Sequence, residues 1–430
     1  MTLSELLPSL RTVAQPHLDP AVWPATARWE GHGDLVVGEV RVAGLIRRHG
    51  DPVHVLDEAD VRRRCAEYGR AFGAGAVAYS AKAGLTPETG RWIADAGLGC
   101  YVSCAAQLRV ALLAGFAPRR LVLHGGAKSI ADLDAAYACG ATVVAGSPAE
   151  VERIAARAPR GQRVLLRVVP SVGGRSWVRY GFRLGSRPAL LAIEELLAAD
   201  GAVLAGLDCS LGHQISRFHQ FEAALREAMG FAAVVRARTG AVLSALNLGG
   251  GHAVAYHDGD DEFAVTAFAS RVRAMLRLSA ERYALDEPSL TVSPGRALVA
   301  RAGVTLARVA AVSTGPDGGH RALLEGVVGC PVAAPCAGRH AVQLIGRASR
   351  AGTRETTVLA AHGRGAAPVG VASLPTDLVA GDVVAVAGTG AYHHDAAASV
   401  AGPAVLSVAR GRVRVLRDRV PVEALLPGAA

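Results

Sequence analysis

The stretch AVAYSAKAGLTPE, residues 76–88, joins a short apolar run to the start of a helix. Residues 76–79 are apolar, and the closing Thr-Pro-Glu has the N-cap residue and first-turn proline of a helix. Between the two lies a single lysine, Lys82. The stretch therefore predicts a buried strand whose loop carries Lys82 and leads at once into a helix.

The same alternation of apolar runs and helical segments continues along much of the chain. In residues 57–72 the apolar side chains recur every three or four positions, which indicates an amphipathic helix. Strands that alternate with helices pair in parallel, and eight of them predict an α/β fold, the closed (β/α)8 barrel; an open doubly wound sheet is the alternative. The eight runs are AVAYS, CYVS, LVLH, TVVAG, VLLRVV, VLAGLD, SALNLG and LTVSP.

The sequence changes character after residue 300. Short Val-rich runs such as HAVQLIG and DVVAVAG are separated by Gly and Pro, a pattern typical of all-β domains. The first 45 residues contain DLVVGEVRVAGL, which is also strand-like. We predict a barrel domain over 46–299 and a β-domain formed by 1–45 and 300–430.

Composition and charge favour some classes of protein and exclude others. A net charge of +9 suits anionic small molecules, whereas arginines scattered without interleaved aromatics argue against a nucleic-acid partner. Seven cysteines without paired C-x-x-C spacing predict reduced thiols and no metal site. The N-terminus lacks the basic segment of a signal peptide, and no run of about 18 apolar residues occurs. We expect a soluble cytoplasmic protein without a membrane partner.

Chemically useful residues follow the predicted strands, where the active site of a (β/α)8 barrel forms. Each alone could be an ordinary turn or a solvated charge, but their common placement favours a site. They are Lys82, Ser103, His124, the segment 208–213, Gly249 to Gly251, and Ser293 to Arg296.

The glycine triplet and Arg296 point to an anionic ligand. Gly249, Gly250 and Gly251 let backbone N–H groups approach a phosphate closely, although such triplets also form ordinary turns. Arg296 can add a charge-assisted hydrogen bond. A lysine that faces a phosphate site across a barrel suggests pyridoxal 5'-phosphate held as a Schiff base, for which the lysine pKa must be lowered from about 10.4.

Six segments resemble, in order, the motifs of the fold-type III pyridoxal-phosphate decarboxylases, which act on diaminopimelate, ornithine and arginine. The resemblance spans about residues 50–405 and implies an alanine-racemase-like TIM barrel with a C-terminal β domain. AYSAKAG stands where the family has Y-A-x-K-A-N. The other segments are AGLGCYVSCAAQLRVALLAGF, LVLHGGAKSIADL, LNLGGGHAVAY, SPGRALVARAG and GDVVAVAGTGAY.

The resemblance assigns roles to these residues. Lys82 is implied to be the Schiff-base lysine. The residues implied to hold the cofactor with it are His213, Gly249, Gly250, Gly251, Ser293, Gly295, Arg296 and Tyr392.

Two departures from the family concern the cofactor. The family's E-P-G-R is S-P-G-R here, so Ser293 replaces the carboxylate that keeps the pyridine nitrogen protonated. The family's H-x-G-S-Q is SLGHQ, which places Ser210 where a histidine stacks on the ring and His213 where a serine contacts the phosphate. His213 either binds the phosphate as a donor or belongs to a loop of changed geometry.

Two further departures concern the reacting groups. His362 replaces a cysteine that donates a proton, and it is either a general acid or an ordinary loop residue. The family's substrate-binding Arg and Tyr are Ala334 and Gly338, and Arg339 or His340 could supply the lost charge.

We therefore expect a pyridoxal-phosphate-dependent decarboxylase of an unusual amino acid or amino-acid conjugate, in a specialised biosynthetic pathway. Lys82 and His362 are its candidate catalytic residues. The alternatives are a non-decarboxylating enzyme on the same fold, such as a racemase, lyase or carbon–carbon bond-forming enzyme, and a cofactor-binding pseudoenzyme. The resemblance also implies a homodimer whose active site lies at the interface.

Overall fold

The structure is a computed structural model that describes residues 16–31, 33–172, 180–325, 339–362, 365–392 and 403–419, without the side chains of 361, 362 and 365. Its strands are β1 Arg28–Glu30, β2 Asp34–Val37, β3 Val40–Arg41, β4 Val53–Asp57, β5 Ala78–Ser80, β6 Gly99–Val102, β7 Leu121–Leu123, β8 Thr142–Ala145, β9 Gln162–Val169, β10 Phe182–Arg183, β11 Ala202–Cys209, β12 Ala245–Asn247, β13 Ser289–Thr291, β14 Gly303–Thr314, β15 His320–Leu324, β16 Val342–Ile345, β17 Thr353–His362, β18 Gly365–Pro375, β19 Val383–Ala387, β20 Ala404–Ala409 and β21 Arg412–Arg417. Its α-helices are α1 Leu45–His49, α2 Glu58–Phe72, α3 Pro87–Asp95, α4 Ala105–Leu113, α5 Ile130–Cys139, α6 Pro148–Arg157, α7 Arg187–Ala198, α8 Phe218–Thr239, α9 Val265–Tyr283 and α10 Arg296–Val299.

The chain divides into two compact units. The barrel unit consists of Arg62–Ala253 and Phe263–Leu298, and the β unit of Met1–Val61, Val254–Glu262 and Val299–Ala430. The domain boundaries drawn from the sequence, 46–299 and its flanks, stay a prediction.

The barrel unit contains eight parallel strands that close on themselves. Their order is β5, β6, β7, β8, β9, β11, β12, β13, which for these strands is the order along the chain. A parallel bridge between Val77 and Val292 joins the first strand to the last, with the Ala78 N–H donating to the Val292 carbonyl at 2.9 Å. The (β/α)8 barrel expected from the eight apolar runs is confirmed, and the open sheet is not formed.

Capped helices and small interior side chains build this barrel. Thr86 caps α3 as its sequence predicts, and its hydroxyl accepts a hydrogen bond from the Thr89 N–H at 3.1 Å. The barrel interior is packed by small and medium apolar residues with one tyrosine: Ala78, Tyr101, Val144, Leu165 and Ala205. An aromatic cluster lies elsewhere in the same unit, and it consists of Tyr68, Phe72, Phe218, Phe221, His252, Phe263 and Phe268.

The β unit is built around β14. This strand pairs with β4, β15 and β19, and the larger sheet runs β18, β17, β15, β14, β4, β20, β21. Strands β1, β2 and β3 form a separate antiparallel sheet. Among the described residues, no helix combines the length and the apolar character that crossing a membrane requires.

Candidate active site

Lys82 lies where the sequence predicts it, directly after β5 in a single 3-10 turn, Ala81–Ala83. Desolvation between the barrel walls lowers its pKa below the usual value, and the cations Arg167 and Arg296 lower it further, while Asp208 opposes them. Its side chain nevertheless remains open to solvent. Lys82 is thus a reachable amine with an enlarged uncharged fraction.

Lys82 is also one of only two lysines among the 46 basic Lys and Arg residues of the chain. The other, Lys128, is fully buried and bonded to Glu150. Arginine cannot replace lysine where a primary amine must react, because its guanidinium does not lose its proton in proteins. Lys82 is therefore the lysine available for covalent chemistry.

Three glycines in two loops bring distant segments together at this end of the barrel. A Cβ atom on Gly250 would lie 2.2 Å from the Ser293 carbonyl oxygen, and one on Gly251 would lie 2.2 Å from the Gly212 carbonyl oxygen. On Gly295 it would lie 2.9 Å from the Ser80 carbonyl oxygen. Only glycine permits these approaches, so the segments that follow β5, β11, β12 and β13 meet at one end of the barrel.

Basic side chains accompany the glycine triplet. Arg296 is buried at the start of α10 and lies close enough to Lys82 to lower its pKa. His213 is half-buried and lines a polar groove of about 290 Å³ with Arg217 and Gln220. The Ile215 N–H donates to the Gly251 carbonyl at 2.8 Å, which holds this groove against the triplet. The arrangement suits a phosphate group.

A chain of buried polar groups crosses the barrel interior beneath the loops. Arg167 on β9 donates to Asp208 on β11 at 2.6 Å, and Asn247 on β12 donates to the same carboxylate at 2.5 Å. The Asn247 amide also donates to the Ser293 hydroxyl at 3.3 Å. Burial, together with Asp208 and its hydrogen bond, raises the pKa of Tyr101 well above its usual value. We call Lys82, Tyr101, His124, Arg167, Asp208, Asn247 and Ser293 the mouth cluster.

His124 follows β7 and is buried edge-on against Tyr101. Neither ring nitrogen has a hydrogen-bond partner among the described residues. Burial lowers its pKa well below the usual value, and Lys82, Arg167 and Lys128 lower it further. His124 therefore presents a neutral imidazole, with unsatisfied nitrogens, to whatever occupies the site.

Further contacts fix the charged members in place. Lys128 pairs with Glu150 at 2.9 Å and donates to the Gly125 carbonyl at 2.7 Å. The Arg167 guanidinium lies over the Tyr180 ring, 4.8 Å from the ring centroid. The Tyr180 hydroxyl accepts a hydrogen bond from the Gly125 N–H. The arginine therefore has little freedom to turn away from Asp208.

The remaining predicted residues belong to the β unit. Tyr392 belongs to the β unit, where it has a φ of 68°. His362 ends β17, and its side chain lies outside the described residues, as do Ala334 and Gly338 entirely. Arg339 donates to Asp260 at 2.6 Å, and the buried His340 bonds the Ala387 carbonyl, so both side chains already have partners.

Sequence reasoning missed Arg167, Asn247 and Tyr101 as members of a site and included Asp208 only within the segment 208–213. A signal was present, because each interrupts an otherwise apolar strand: VLLRVV, VLAGLD, SALNLG and CYVS. A charge inside a strand that is buried on both faces needs a buried partner. Which partner it finds depends on barrel closure, which the runs alone do not give.

Comparisons with known proteins agree with this geometry. A family model described as "Pyridoxal-dependent decarboxylase, pyridoxal binding domain" matches residues 58–300. A diaminopimelate decarboxylase of Actinosynnema pretiosum subsp. auranticum is 38% identical over 440 residues, covering 99% of each chain. One of Mycobacterium tuberculosis is 32% identical over 448 residues, covering 95% of this chain and 98% of its own.

A solved structure has the same fold. The crystal structure of diaminopimelate decarboxylase from M. jannaschii aligns with a TM-score of 0.82, covering 93% of this chain and 96% of its own. Its sequence is 20% identical, so this similarity concerns the fold alone.

Proposed function

Since this chain belongs to the pyridoxal-dependent decarboxylases, a family of carboxy-lyases that use pyridoxal 5'-phosphate, we propose that it removes a carboxylate from diaminopimelate with Lys82 as the cofactor-binding lysine. The observation that carries the proposal is the meeting of Lys82, the glycine triplet and Arg296 at one end of the barrel. The choice of diaminopimelate rests on the full-length similarity to decarboxylases of that name.

The residues present suit the cofactor. The low-pKa amine of Lys82 is ready to bind its aldehyde, and the glycine triplet with Arg296 and His213 can hold its phosphate. The unsatisfied nitrogens of His124 leave hydrogen bonds for a ligand to complete. When bound, pyridoxal phosphate supplies an aldehyde that joins to an amine and a ring that withdraws electrons from the bond to be broken.

The chain's own groups bind, orient and move a proton. With the cofactor and substrate bound, the amine of Lys82 would be placed to carry a proton to the substrate's α-carbon. His362 is the second candidate donor, on the family resemblance alone. Arg167 and Asp208 neutralise each other and keep the interior ordered, so their role is to position.

A second candidate is the decarboxylation of an unusual amino acid or conjugate in a specialised pathway. Ser293 in place of a carboxylate, and Ala334 and Gly338 in place of the family's Arg and Tyr, favour it. Under either proposal we expect a homodimer, which light scattering on a sizing column would show as twice the 44.2 kDa chain mass.

The test is release of CO2 from meso-diaminopimelate by protein saturated with pyridoxal phosphate. Borohydride reduction followed by peptide mass spectrometry should place the cofactor on Lys82, and Lys82→Ala should lose both the label and the activity. Arg163→Ala, an exposed change at the start of β9, is the matched control. A labelled Lys82 with no CO2 from diaminopimelate, but CO2 from another amino acid in a panel, would select the second candidate. An unlabelled Lys82 would refute both.

A further inference from the structure

The hydrogen bonds of Asn247 fix the orientation of its amide. A carboxylate can only accept, so the Asn247 atom that faces Asp208 at 2.5 Å must be the NH2 group. The other side of the amide accepts the Gly249 N–H at 3.0 Å, which requires oxygen there. Two independent neighbours therefore impose the same orientation.

This orientation decides what Ser293 can do. The Asn247 NH2 group donates to the Ser293 oxygen at 3.3 Å, so the serine hydroxyl accepts on that side and its own proton must point elsewhere. Ser293 is 9% exposed, and among the described residues nothing accepts that proton. A buried hydroxyl is thus presented as a hydrogen-bond donor to the ligand.

The surrounding charges agree with this direction. Asp208 is compensated by Arg167 at 2.6 Å, and Glu150 by Lys128 at 2.9 Å. Arg296 adds a further positive charge near Lys82. A ligand atom beside Ser293 therefore meets a hydrogen-bond donor. Among the described residues of the mouth, no carboxylate there lacks a compensating cation, so a protonated, cationic ring nitrogen is disfavoured.

We propose that Asp208, acting through Asn247, holds Ser293 as a hydrogen-bond donor to the bound cofactor, so that the cofactor's ring nitrogen carries no proton in this enzyme. The inference rests on the proposed function and on the family resemblance, which implies that the ring nitrogen lies beside position 293. It does not depend on which amino acid is the substrate. A neutral ring withdraws electrons less strongly, so the enzyme relies more on its own groups to stabilise charge at the reacting carbon.

The test is the nitrogen-15 resonance of the cofactor ring in protein reconstituted with ring-labelled pyridoxal phosphate, without substrate. Model compounds of the cofactor with a simple amine, measured with and without the ring proton, give the two reference positions. We expect the wild type to match the unprotonated reference and Ser293→Glu to match the protonated one. A protonated resonance in the wild type, or no shift in Ser293→Glu, would overturn the proposal.

A double-mutant cycle tests the path through Asn247. Ser293→Ala removes the donor and should weaken cofactor binding about tenfold, the worth of roughly one hydrogen bond. Asn247→Asp keeps a hydrogen bond to Asp208 when the new carboxyl is protonated, but it offers the Ser293 hydroxyl an acceptor in place of a donor. It should therefore weaken cofactor binding by a similar factor. The double variant should lose no more than either single one, whereas additive losses would contradict the path. Borohydride labelling of Lys82 in every variant checks that the site is intact. Absence of CO2 from diaminopimelate alongside an unprotonated nitrogen would reject only the substrate.

Discussion

The mouth cluster and the aromatic cluster occupy the same barrel unit, and each contains a buried histidine. His124 and His252 both have a pKa lowered chiefly by burial. Three cations deepen the effect at His124, whereas only Arg64 does so at His252, which is surrounded by aromatic rings. Nδ1 of His252 bonds the Tyr68 hydroxyl at 2.9 Å, which leaves only its Nε2 without a partner among the described residues. In His124 both ring nitrogens lack one there.

The difference separates stability from function. The aromatic cluster is stabilised mainly by packing. A substitution there should therefore lower the free energy of unfolding and leave Lys82 unaffected. In the mouth cluster each charge sets the pKa of its neighbours, so a change there should alter Lys82 as well. The following experiments test that separation.

The largest effect should come from breaking the buried ion pair beside the mouth. Glu150→Ala leaves Lys128 without its carboxylate and the Gly146 N–H without its acceptor, and should lower the free energy of unfolding by about 3–5 kcal/mol. Urea denaturation measures it. Glu152→Ala, exposed on the same helix, should stay within about 0.5 kcal/mol. A loss for Glu150→Ala no larger than the control's would show that the pair contributes nothing.

Acid should destabilise the fold through His252. Its pKa falls from 6.5 in the unfolded chain to about 3 in the folded one, so the unfolded chain binds the proton first as the pH drops. The stability is fully present above 6.5 and is lost at up to about 1.4 kcal/mol per pH unit between 6.5 and 3. His252→Phe should flatten the dependence of unfolding free energy on pH by that slope. Parallel curves for the two proteins would contradict the assignment.

A smaller loss should follow Phe268→Leu in the aromatic cluster. Phe268 is fully buried and contacts five rings of the cluster, so we expect about 1–1.5 kcal/mol. Leu278→Ala on the same helix, 60% exposed, is the control. Cofactor affinity should be unchanged in both variants. A weakened affinity in Phe268→Leu would show that the two clusters are coupled.

The subtlest effect should be on Lys82 itself. Arg167→Gln removes a cation that lowers the pKa of Lys82 and leaves the Asp208 carboxylate, which raises it. The pKa of Lys82 should therefore rise. Competitive acetylation of the cofactor-free protein across pH, read on the Lys82 peptide, reports this value, because Lys128 is the only other lysine of the chain. Arg163→Gln, exposed on the same strand, should leave the midpoint in place. An unchanged midpoint in Arg167→Gln would remove Arg167 from the electrostatics of the site.

The sequence predicts the strands well and the interior polar chain poorly, for one physical reason. Helix caps such as Thr86 and apolar runs such as AVAYS are local signals, so the eight strands and the position of Lys82 follow from them. Arg167 and Asp208 lie far apart in the chain, and their pairing exists only once their own strands, β9 and β11, are in register. The two-residue β10 is too short to show any alternation and was not expected.

The bridge between Val77 and Val292 also orders events in time. During synthesis Lys82 leaves the ribosome with the first barrel strand, β5, whereas Ser293 and Arg296 follow the last barrel strand, β13. Until then the lysine has neither the phosphate partner nor the closing strand beside it. A nascent chain that stops before β13 should therefore hold no cofactor, and cofactor capture marks the moment at which the barrel is complete.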